Sequence, residues 1–326
     1  MRIIASLIAG GLMTATASAQ TATLPDLAAH AAASAAEQAR YPAWSQPLQV
    51  DSDPILSARE ISIQSVRGPN GEAPALQAWA STVAAQPGET IELFAQLAWL
   101  DTEQSPWDQL RGATGDWSIT AELVTEAGQP LASLDYTDSG RGLDTVAGDG
   151  VFTTALTLDP TKAPPLGQAS SVLVRLTATA PDGSVRKGST GFLYSNPAAE
   201  LTGKFRQRIE DGHLVVLAEA TVAALGRVHL EGSLADLAGQ PQAIAQTAQV
   251  LSPGVHWIPL RFHGQLIRDL GLVDALRLRA ITLRSTQGMP NAIGPVLTDA
   301  FVVAPLPLDQ LVGDTAAPAS GLLAGG

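Results

Sequence analysis

The chain has 326 residues, of which 45% are hydrophobic, 5% aromatic and 15% charged. This apolar content is sufficient for buried cores and excludes a wholly disordered chain. The sequence contains no Cys, which excludes disulfides, a thiol nucleophile, Cys-ligated zinc and iron–sulfur clusters. The net charge of −12 argues against nucleic acid as a partner, because neutralising phosphates requires clustered Lys and Arg.

The first residues have the pattern of an export signal. In the stretch MRIIASLIAGGLMTATASA, Arg2 precedes an apolar run, and Ala17-Ser18-Ala19 has the A-x-A form of a cleavage site. The apolar run is shorter than the roughly 20 residues that a membrane span requires, and no later run reaches that length. We therefore predict a signal peptide over residues 1–19 and a bacterial protein, periplasmic or secreted, without a membrane span.

Residues 20–49 are predicted to form a short Ala-rich helix followed by a linker. The helix falls within the stretch LPDLAAHAAASAAEQAR of residues 24–40, since Ala has the highest helix propensity. Pro42, Pro47 and Pro54 follow it and indicate the linker.

From about residue 55 the hydrophobic period changes to two, which indicates strands with one buried face. Apolar and polar side chains alternate in 91–99, 117–123 and 172–178, and turns containing Gly and Pro separate these stretches. Short strands at this spacing are typical of an antiparallel sandwich. We predict a first β-sandwich over residues 50–197, and the pattern leaves open whether 50–85 belongs to it.

The same alternation returns after residue 198. It occurs in 214–222, 228–234, 258–262 and 276–280, and only Gln265–Asp274 has the pattern of a helical turn. These stretches predict a second β-sandwich over residues 198–305. A flexible tail rich in Ala, Gly and Pro is predicted over residues 306–326.

The two predicted sandwiches differ in charge. Residues 50–197 carry 8 Lys and Arg against 18 Asp and Glu, a net charge of −10. Residues 198–305 carry 9 of each and are neutral. The acidity of the chain therefore belongs almost entirely to the first sandwich.

Part of this acidity is concentrated in residues 135–153, with the sequence DYTDSGRGLDTVAGDGVFT. Asp supplies hard oxygen ligands and Gly lets the backbone turn tightly, which suits the six to eight oxygens that Ca²⁺ binds at about 2.3–2.6 Å. Asp138, Asp144 and Asp149 are the candidate ligands, although their order is not that of an EF-hand. The alternative is an ordinary structural turn, because Asp149-Gly150 is a hairpin signal and Asp bonds to its own backbone.

The pattern D-x-G…D-x-V-A-G-D-G-V-F-T in this segment resembles the Asp/Gly loop of bacterial secreted immunoglobulin-like modules. The stretches LTGKF, GRVHLEG and GVHWIPL, which begin at Leu201, Gly226 and Gly254, are similar to the C-terminal sandwich of an uncharacterised family of exported proteobacterial proteins with tandem immunoglobulin-like domains. The resemblance covers roughly residues 85–305. It implies an all-β fold with two immunoglobulin-like antiparallel β-sandwiches in tandem, and it implies no reaction. Ser139 stands where a second Asp is usual, which removes one candidate ligand.

Other chemistry has weaker support in the sequence. His229, His263 and Glu231 would form a metal site only if they met across a sheet edge, and strand parity places His256 and His263 on opposite faces. The sequence has no G-x-S-x-G motif and no nucleotide-binding Gly-rich motif. We therefore predict that the protein is not an enzyme.

Loops at the ends of sandwiches commonly carry recognition, so residues 135–153 and 101–116 are the first candidates. Trp107, in the second of these loops, is expected to cover the end of the sandwich or to stack on a sugar. We predict a non-catalytic exported scaffold or protein-interaction module with an unknown protein or glycan partner. The alternative is a carbohydrate-binding module with structural Ca²⁺, the one candidate cofactor, in the Asp/Gly loop.

Overall fold

The structure, a computed structural model, describes residues 39–48, 74–100, 110–112, 116–126 and 128–311. The predicted signal peptide, the Ala-rich helix, Trp107 and nearly all of the predicted tail lie outside these residues. Strands form most of the described chain, so the predicted all-β fold class is confirmed. No helix within the described residues has the length and apolarity to cross a bilayer.

The first part of the described chain forms two sheets after a short initial strand. The strands are β1 (Ser45–Pro47), β2 (Ala75–Ala80), β3 (Ala84–Ala85), β4 (Thr90–Leu100), β5 (Leu110–Gly112), β6 (Ser118–Thr125), β7 (Pro130–Tyr136), β8 (Val151–Thr157), β9 (Gln168–Thr179) and β10 (Val185–Asn196). One sheet has the order β3–β10–β9–β6–β7. In the other, β4 pairs with β2 on one side and with β8 and β5 on the other. The pairs are antiparallel except β3 with β10.

A cluster of buried side chains between these two sheets, within residues 76–194, is called the first core here. It follows from the alternation that the sequence predicted, since Ile91, Leu93 and Leu97 of β4 are all fully buried. Trp117 packs against the margin of this core. Burying one leucine or isoleucine side chain stabilises the fold by about 1.5–3 kcal/mol relative to leaving it exposed.

The second part of the described chain also forms two sheets. Its elements are β11 (Ala199–Glu210), β12 (His213–Val222), β13 (Gly226–Ala235), β14 (Pro241–Leu251), β15 (Gly254–Phe262), α1 (Gly264–Asp269), β16 (Leu276–Ser285), β17 (Ala292–Ile293) and β18 (Phe301–Val303). One sheet has the order β1–β14–β13–β16–β17, with β18 also paired to β16, and the other has the order β11–β12–β15. The short helix α1 begins one residue before the predicted helical turn of Gln265–Asp274 and ends within it.

A second core lies between these sheets and contains Tyr41 together with buried residues of 199–311. Leu230, Leu260 and Leu278, from three different strands, are all fully buried in it. The two cores are separate clusters of buried side chains. The number of immunoglobulin-like sandwiches and their exact bounds stay predictions from the sequence.

Strand β1 differs from the linker that the sequence predicts over 20–49. Ser45–Pro47 pair antiparallel with Ala243–Ala245 of β14, so this segment is an edge strand of the second core's larger sheet. Ser45 is fully buried, and its Oγ accepts a hydrogen bond from the backbone N of His263 at 3.0 Å. A strand of three residues is too short for an alternating pattern to reveal it.

Polar contacts join the two parts beyond the covalent link after β10. The side chains of Gln86 and Ser195 both donate to the backbone carbonyl of Ile293, at 2.9 and 2.8 Å. The backbone N of Ala198 donates to Ser285 Oγ at 3.0 Å. These hydrogen bonds connect the residue after β3 and the segment from the end of β10 to Ala198 with β16 and β17.

Candidate functional site

The segment of residues 137–150, called the Asp loop here, connects β7 to β8. These two strands belong to different sheets, so the loop closes one end of the space around the first core. Thr137 and Thr153 exchange two backbone hydrogen bonds, at 3.0 and 2.9 Å. This bridge fixes both ends of the loop at the point where it leaves the sheets.

The turns of the loop depend on glycines with positive φ, as the sequence pattern indicates. Gly140 shows the requirement most clearly, since its φ is +66°. A Cβ at this position would lie 2.8 Å from the backbone N of Ala147. Both the backbone conformation and the close approach therefore require glycine at this position.

The structure brings all three sequence-predicted candidate ligands together. One carboxylate oxygen from each of Asp138, Asp144 and Asp149 lies within 4.8 Å of the others. Asp144 is buried, Asp138 is half-buried and Asp149 is exposed. The assembly of the three side chains is thus observed, and cation binding by them stays a prediction.

Backbone N–H groups of the loop occupy part of these carboxylates. The hydrogen bonds are Gly148 N to Asp138 Oδ1 (2.6 Å), Gly150 N to Asp138 Oδ2 (3.0 Å), Gly140 N to Asp144 Oδ2 (2.5 Å), Val146 N to Asp144 Oδ1 (3.2 Å) and Val151 N to Asp149 Oδ1 (2.9 Å). Such bonds are the usual way in which Asp stabilises a turn. The carboxylates therefore hold the shape of the loop.

Three negative charges at this separation repel one another. Within the described residues, the recorded salt bridges include none to these carboxylates, so only backbone dipoles offset the repulsion. An ionised carboxylate has about four lone-pair sites, more than these bonds use. The arrangement can thus hold the loop by itself and can also accept a hard cation.

The Asp loop exposes apolar side chains next to its buried carboxylate. Leu143 is 37% exposed and Val146 is 54% exposed, although Asp144 between them is only 4% exposed. A loop with this composition presents a polar rim with two apolar side chains on its surface.

The structure does not assemble the metal site of His229, His263 and Glu231 that the sequence analysis disfavours. His263 lies beside His213, with ring centroids 5.0 Å apart. His229 contacts a glutamine of β14 through Nε2, and Glu231 pairs with Arg284 at 3.1 Å. The three candidate residues therefore do not form a common site.

Sequence reasoning missed an aromatic cluster at the start of β1. The Trp44 ring makes T-shaped contacts with the rings of His213 and His263, at centroid distances of 5.5 and 5.6 Å. The His213 and His263 side chains are 3% and 4% exposed. The one available signal was a Trp between two prolines in a segment predicted to be a linker.

The buried Tyr136, which ends β7 beside the loop, has an unusual environment. Its hydroxyl is buried and has no hydrogen-bond partner among the described residues. Burial raises the pKa of this hydroxyl well above its ordinary value of 10.0. Tyr136 therefore remains a neutral side chain of the first core under physiological conditions.

No protein-family profile and no curated protein matches the chain. Solved structures with similarity include a DUF4785 family protein from Legionella pneumophila, which is 22% identical, with 72% of this chain and 57% of that chain covered and a TM-score of 0.42. A tetra-tandem repeat from the extending region of a large adhesion protein is 14% identical, with 72% of this chain and 55% of that chain covered and a TM-score of 0.26. The Yersinia pseudotuberculosis adhesin InvE is 11% identical, with 58% of each chain covered and a TM-score of 0.20. This chain thus spans little more than half of each of these structures. At these identities and TM-scores the similarities carry no argument about function.

Proposed function

We propose that this protein is a non-catalytic, exported interaction module or scaffold that recognises a protein partner through the Asp loop. The observation that carries the proposal is a loop braced by its own carboxylates that exposes Leu143 and Val146. A loop already held in one conformation loses less conformational entropy when a partner binds. Apolar side chains within a polar rim are the common composition of a protein-binding surface.

The chemistry of the loop supports binding more than catalysis. The Asp138, Asp144 and Asp149 group is the one cluster of three or more potential metal ligands found among the described residues. A general acid or base must exchange its proton with a substrate in reach of its oxygen. Here the carboxylate oxygens accept backbone N–H bonds that the loop needs for its shape.

Site-specific photo-crosslinking in the producing cells tests this function. A photoreactive residue in place of Val146 should give one adduct of defined mass, because this side chain is exposed on the loop. The matched control is Val250, which is 69% exposed on β14. The adduct should disappear when Asp144→Asn loosens the loop. Equal adducts from both positions, no adduct from Val146, or turnover of a general hydrolase substrate panel would overturn the proposal.

A second candidate function, a carbohydrate-binding module with structural Ca²⁺ in the Asp loop, is favoured by the close approach of three like-charged carboxylates. Calcium would remove their repulsion and raise the midpoint of thermal unfolding as the free ion concentration exceeds its Kd. The test compares unfolding in Ca²⁺ and in EDTA. Asp138→Asn should abolish the shift, whereas Asp182→Asn, in an exposed turn of similar design, should preserve it. If the unfolding midpoint does not shift at millimolar Ca²⁺, calcium binding is excluded. If a glycan array gives no hits, carbohydrate binding is excluded.

A further inference from the structure

A groove with a volume of about 760 Å³ lies on the surface of the part that contains the second core. This volume is within the range of about 300–1,000 Å³ that is usual for ligand sites. The lining of the groove includes Trp44, Arg227, His229, Gln246, Pro259 and Arg261. It shares no residue with the Asp loop.

Strand pairing assembles the groove from distant parts of the sequence. Arg227 and His229 come from β13, and Arg261 comes from β15 in the other sheet. The backbone N of Gln246 in β14 donates to the carbonyl of Trp44 at 2.9 Å, which fixes Trp44 next to β14. Both sheets and the segment before β1 therefore contribute walls.

The lining is cationic although the chain as a whole is acidic. Two arginines, Arg227 and Arg261, line the groove, and no Asp or Glu of the described residues does. Arg227 is exposed, and the salt bridges among the described residues do not include it. The guanidinium nitrogens of Arg261 lie 3.5 Å from a carboxylate oxygen of Glu210 and 3.8 Å from a carboxylate oxygen of Asp211. Both distances are longer than the roughly 2.7–2.9 Å of a direct charged hydrogen bond. Among the described residues, no ion pair therefore neutralises the Arg227 guanidinium.

Hydrogen bonds hold the polar side of the groove in place. Gln246 Nε2 donates to the carbonyl of Ala43 at 3.0 Å, so its Oε1 is the atom that faces His229. His229 Nε2 lies 3.0 Å from this oxygen and is therefore the nitrogen that donates. The imidazole ring of His229 is fixed in orientation beside Arg227, two residues along the same strand.

An aromatic and apolar wall completes the groove. Trp44 is half-buried, and its T-shaped contacts with His213 and His263 fix the plane of the indole. Ala43, Ala248 and Pro259 add apolar surface beside it. The groove therefore combines a guanidinium group, a fixed imidazole and a flat aromatic surface.

We propose that this groove binds a uronic-acid-containing oligosaccharide. The carboxylate of the sugar acid accepts a bidentate pair of hydrogen bonds from the Arg227 guanidinium, whose fork geometry matches a carboxylate. The apolar face of the pyranose ring packs on Trp44, which supplies a large flat contact surface. This inference concerns a different site and a different class of ligand from the protein-interaction function proposed for the Asp loop.

The structure favours a sugar over an acidic peptide in this groove. A peptide commonly binds a sheet protein by adding a strand to an exposed edge. At the groove, residues 44–47 of this chain already occupy the edge of β14 from Ala243 to Gln246. The other strand at the groove, β15, is an edge strand of its sheet, but Pro259 in its groove-lining part has no backbone N–H to donate to an added strand.

Calorimetric titration of the full chain tests the inference. The probes are trimers of galacturonate, glucuronate and mannuronate, with neutral galactotriose as the comparison. We expect at least one acidic trimer to bind, and galactotriose to bind at least about tenfold more weakly because it lacks the carboxylates. Arg227→Gln should weaken binding of the acidic trimer about tenfold or more. The matched control is Arg175→Gln, an exposed arginine on β9, which should leave binding unchanged.

Several results would overturn this assignment. They are no binding of any acidic trimer, equal binding of galactotriose, or equal losses from Arg227→Gln and Arg175→Gln. A hexaglutamate peptide that competes with equal affinity would assign the groove to acidic peptides instead. Crosslinking from Val146 does not depend on the groove, so the two proposals can fail separately.

Discussion

The Asp loop and the groove beside β14 use their charges in opposite ways. In the loop, each of Asp138, Asp144 and Asp149 accepts hydrogen bonds from the backbone that surrounds it. In the groove, Arg227 has no salt bridge among the described residues. Charges that a fold satisfies internally mainly build shape, whereas a charge that it leaves exposed beside a fixed aromatic ring is available to a ligand. The carboxylates of the Asp loop therefore shape the surface that exposes Leu143 and Val146, whereas Arg227 of the groove is itself available to an anion.

The largest expected effects test whether the two cores that carry these features are separate. Leu93→Ala and Leu230→Ala each truncate a fully buried leucine, one in each core. Each should cost about 3–5 kcal/mol of unfolding free energy. Hydrogen exchange should show lost protection in residues 76–194 for the first variant and in 199–311 for the second. Leu→Met at the same two positions, the volume-conserving control, should cost less than about 1.5 kcal/mol. Loss of protection throughout the chain in both variants would show one cooperative unit.

A smaller effect tests the structural role of the loop carboxylates. Asp144→Ala leaves the backbone N–H groups of Gly140 and Val146 without their acceptor next to a buried position. We expect it to lower the free energy of unfolding by about 2–4 kcal/mol in urea titrations. Asp149→Ala removes one bond at an exposed residue and should cost about 0.5–1 kcal/mol. Equal losses would mean that burial of Asp144 does not matter.

Tyr136 gives a prediction for the dependence of stability on pH. Because burial raises the pKa of Tyr136 in the folded protein above its value of 10.0 in the unfolded chain, its contribution is fully present below pH 10. It is lost as the pH rises above 10, where the unfolded chain releases the proton first. Tyr136→Phe should lose less stability than the parent chain above pH 10, and at pH 7 it should change stability by at most about 1 kcal/mol.

Tyr194 is the matched control for this measurement. Tyr194 is also buried, but its hydroxyl donates to the carbonyl of Asp159 at 2.7 Å. Tyr194→Phe should therefore cost about 1 kcal/mol at pH 7, because it removes a formed hydrogen bond. A larger loss at pH 7 from Tyr136→Phe than from Tyr194→Phe would show that Tyr136 has a partner.

The smallest expected effect tests the exposed charge of the groove. Arg227→Gln should change the free energy of unfolding by less than about 0.5 kcal/mol, because no ion pair of the described residues is lost. Glu231→Gln weakens the half-buried pair with Arg284 and should cost about 0.5–1 kcal/mol. Chemical denaturation of both variants decides the comparison. A greater loss from Arg227→Gln would assign this arginine a structural role and remove the basis of the groove proposal.

Much of the fold can be predicted from the sequence because alternation of side chains reports one-sided burial. The stretches 91–99, 214–222 and 258–262 all lie in strands, and the apolar stripe of each supplies buried side chains. In 214–222, Val215 is also buried on the opposite face. The gathering of Asp138, Asp144 and Asp149 follows from local turn chemistry, since every one of their backbone hydrogen bonds joins residues 2 to 12 apart in the chain. Features that depend on nearby residues are therefore accessible from sequence.

Features made by distant pairing are not accessible in this way. Arg227 and Arg261 each look like an ordinary solvent-facing residue of its own strand, and only the sheet topology brings them to one groove. Trp44 meets His213 and His263 for the same reason. The contacts of Gln86 and Ser195 are made to a backbone carbonyl, which every residue has, so no side-chain pattern marks the acceptor.

The pairing of β1 with β14 makes the second half of the fold discontinuous in the chain. Ser45–Pro47 leave the ribosome before the whole first core, yet their partner Ala243–Ala245 follows it. Strand β1 can therefore pair with β14 only after the intervening part of the chain has been synthesised. A fragment that starts at Ala199 lacks it, and we expect such a fragment to recover its native edge when a peptide of residues 41–48 is supplied in trans.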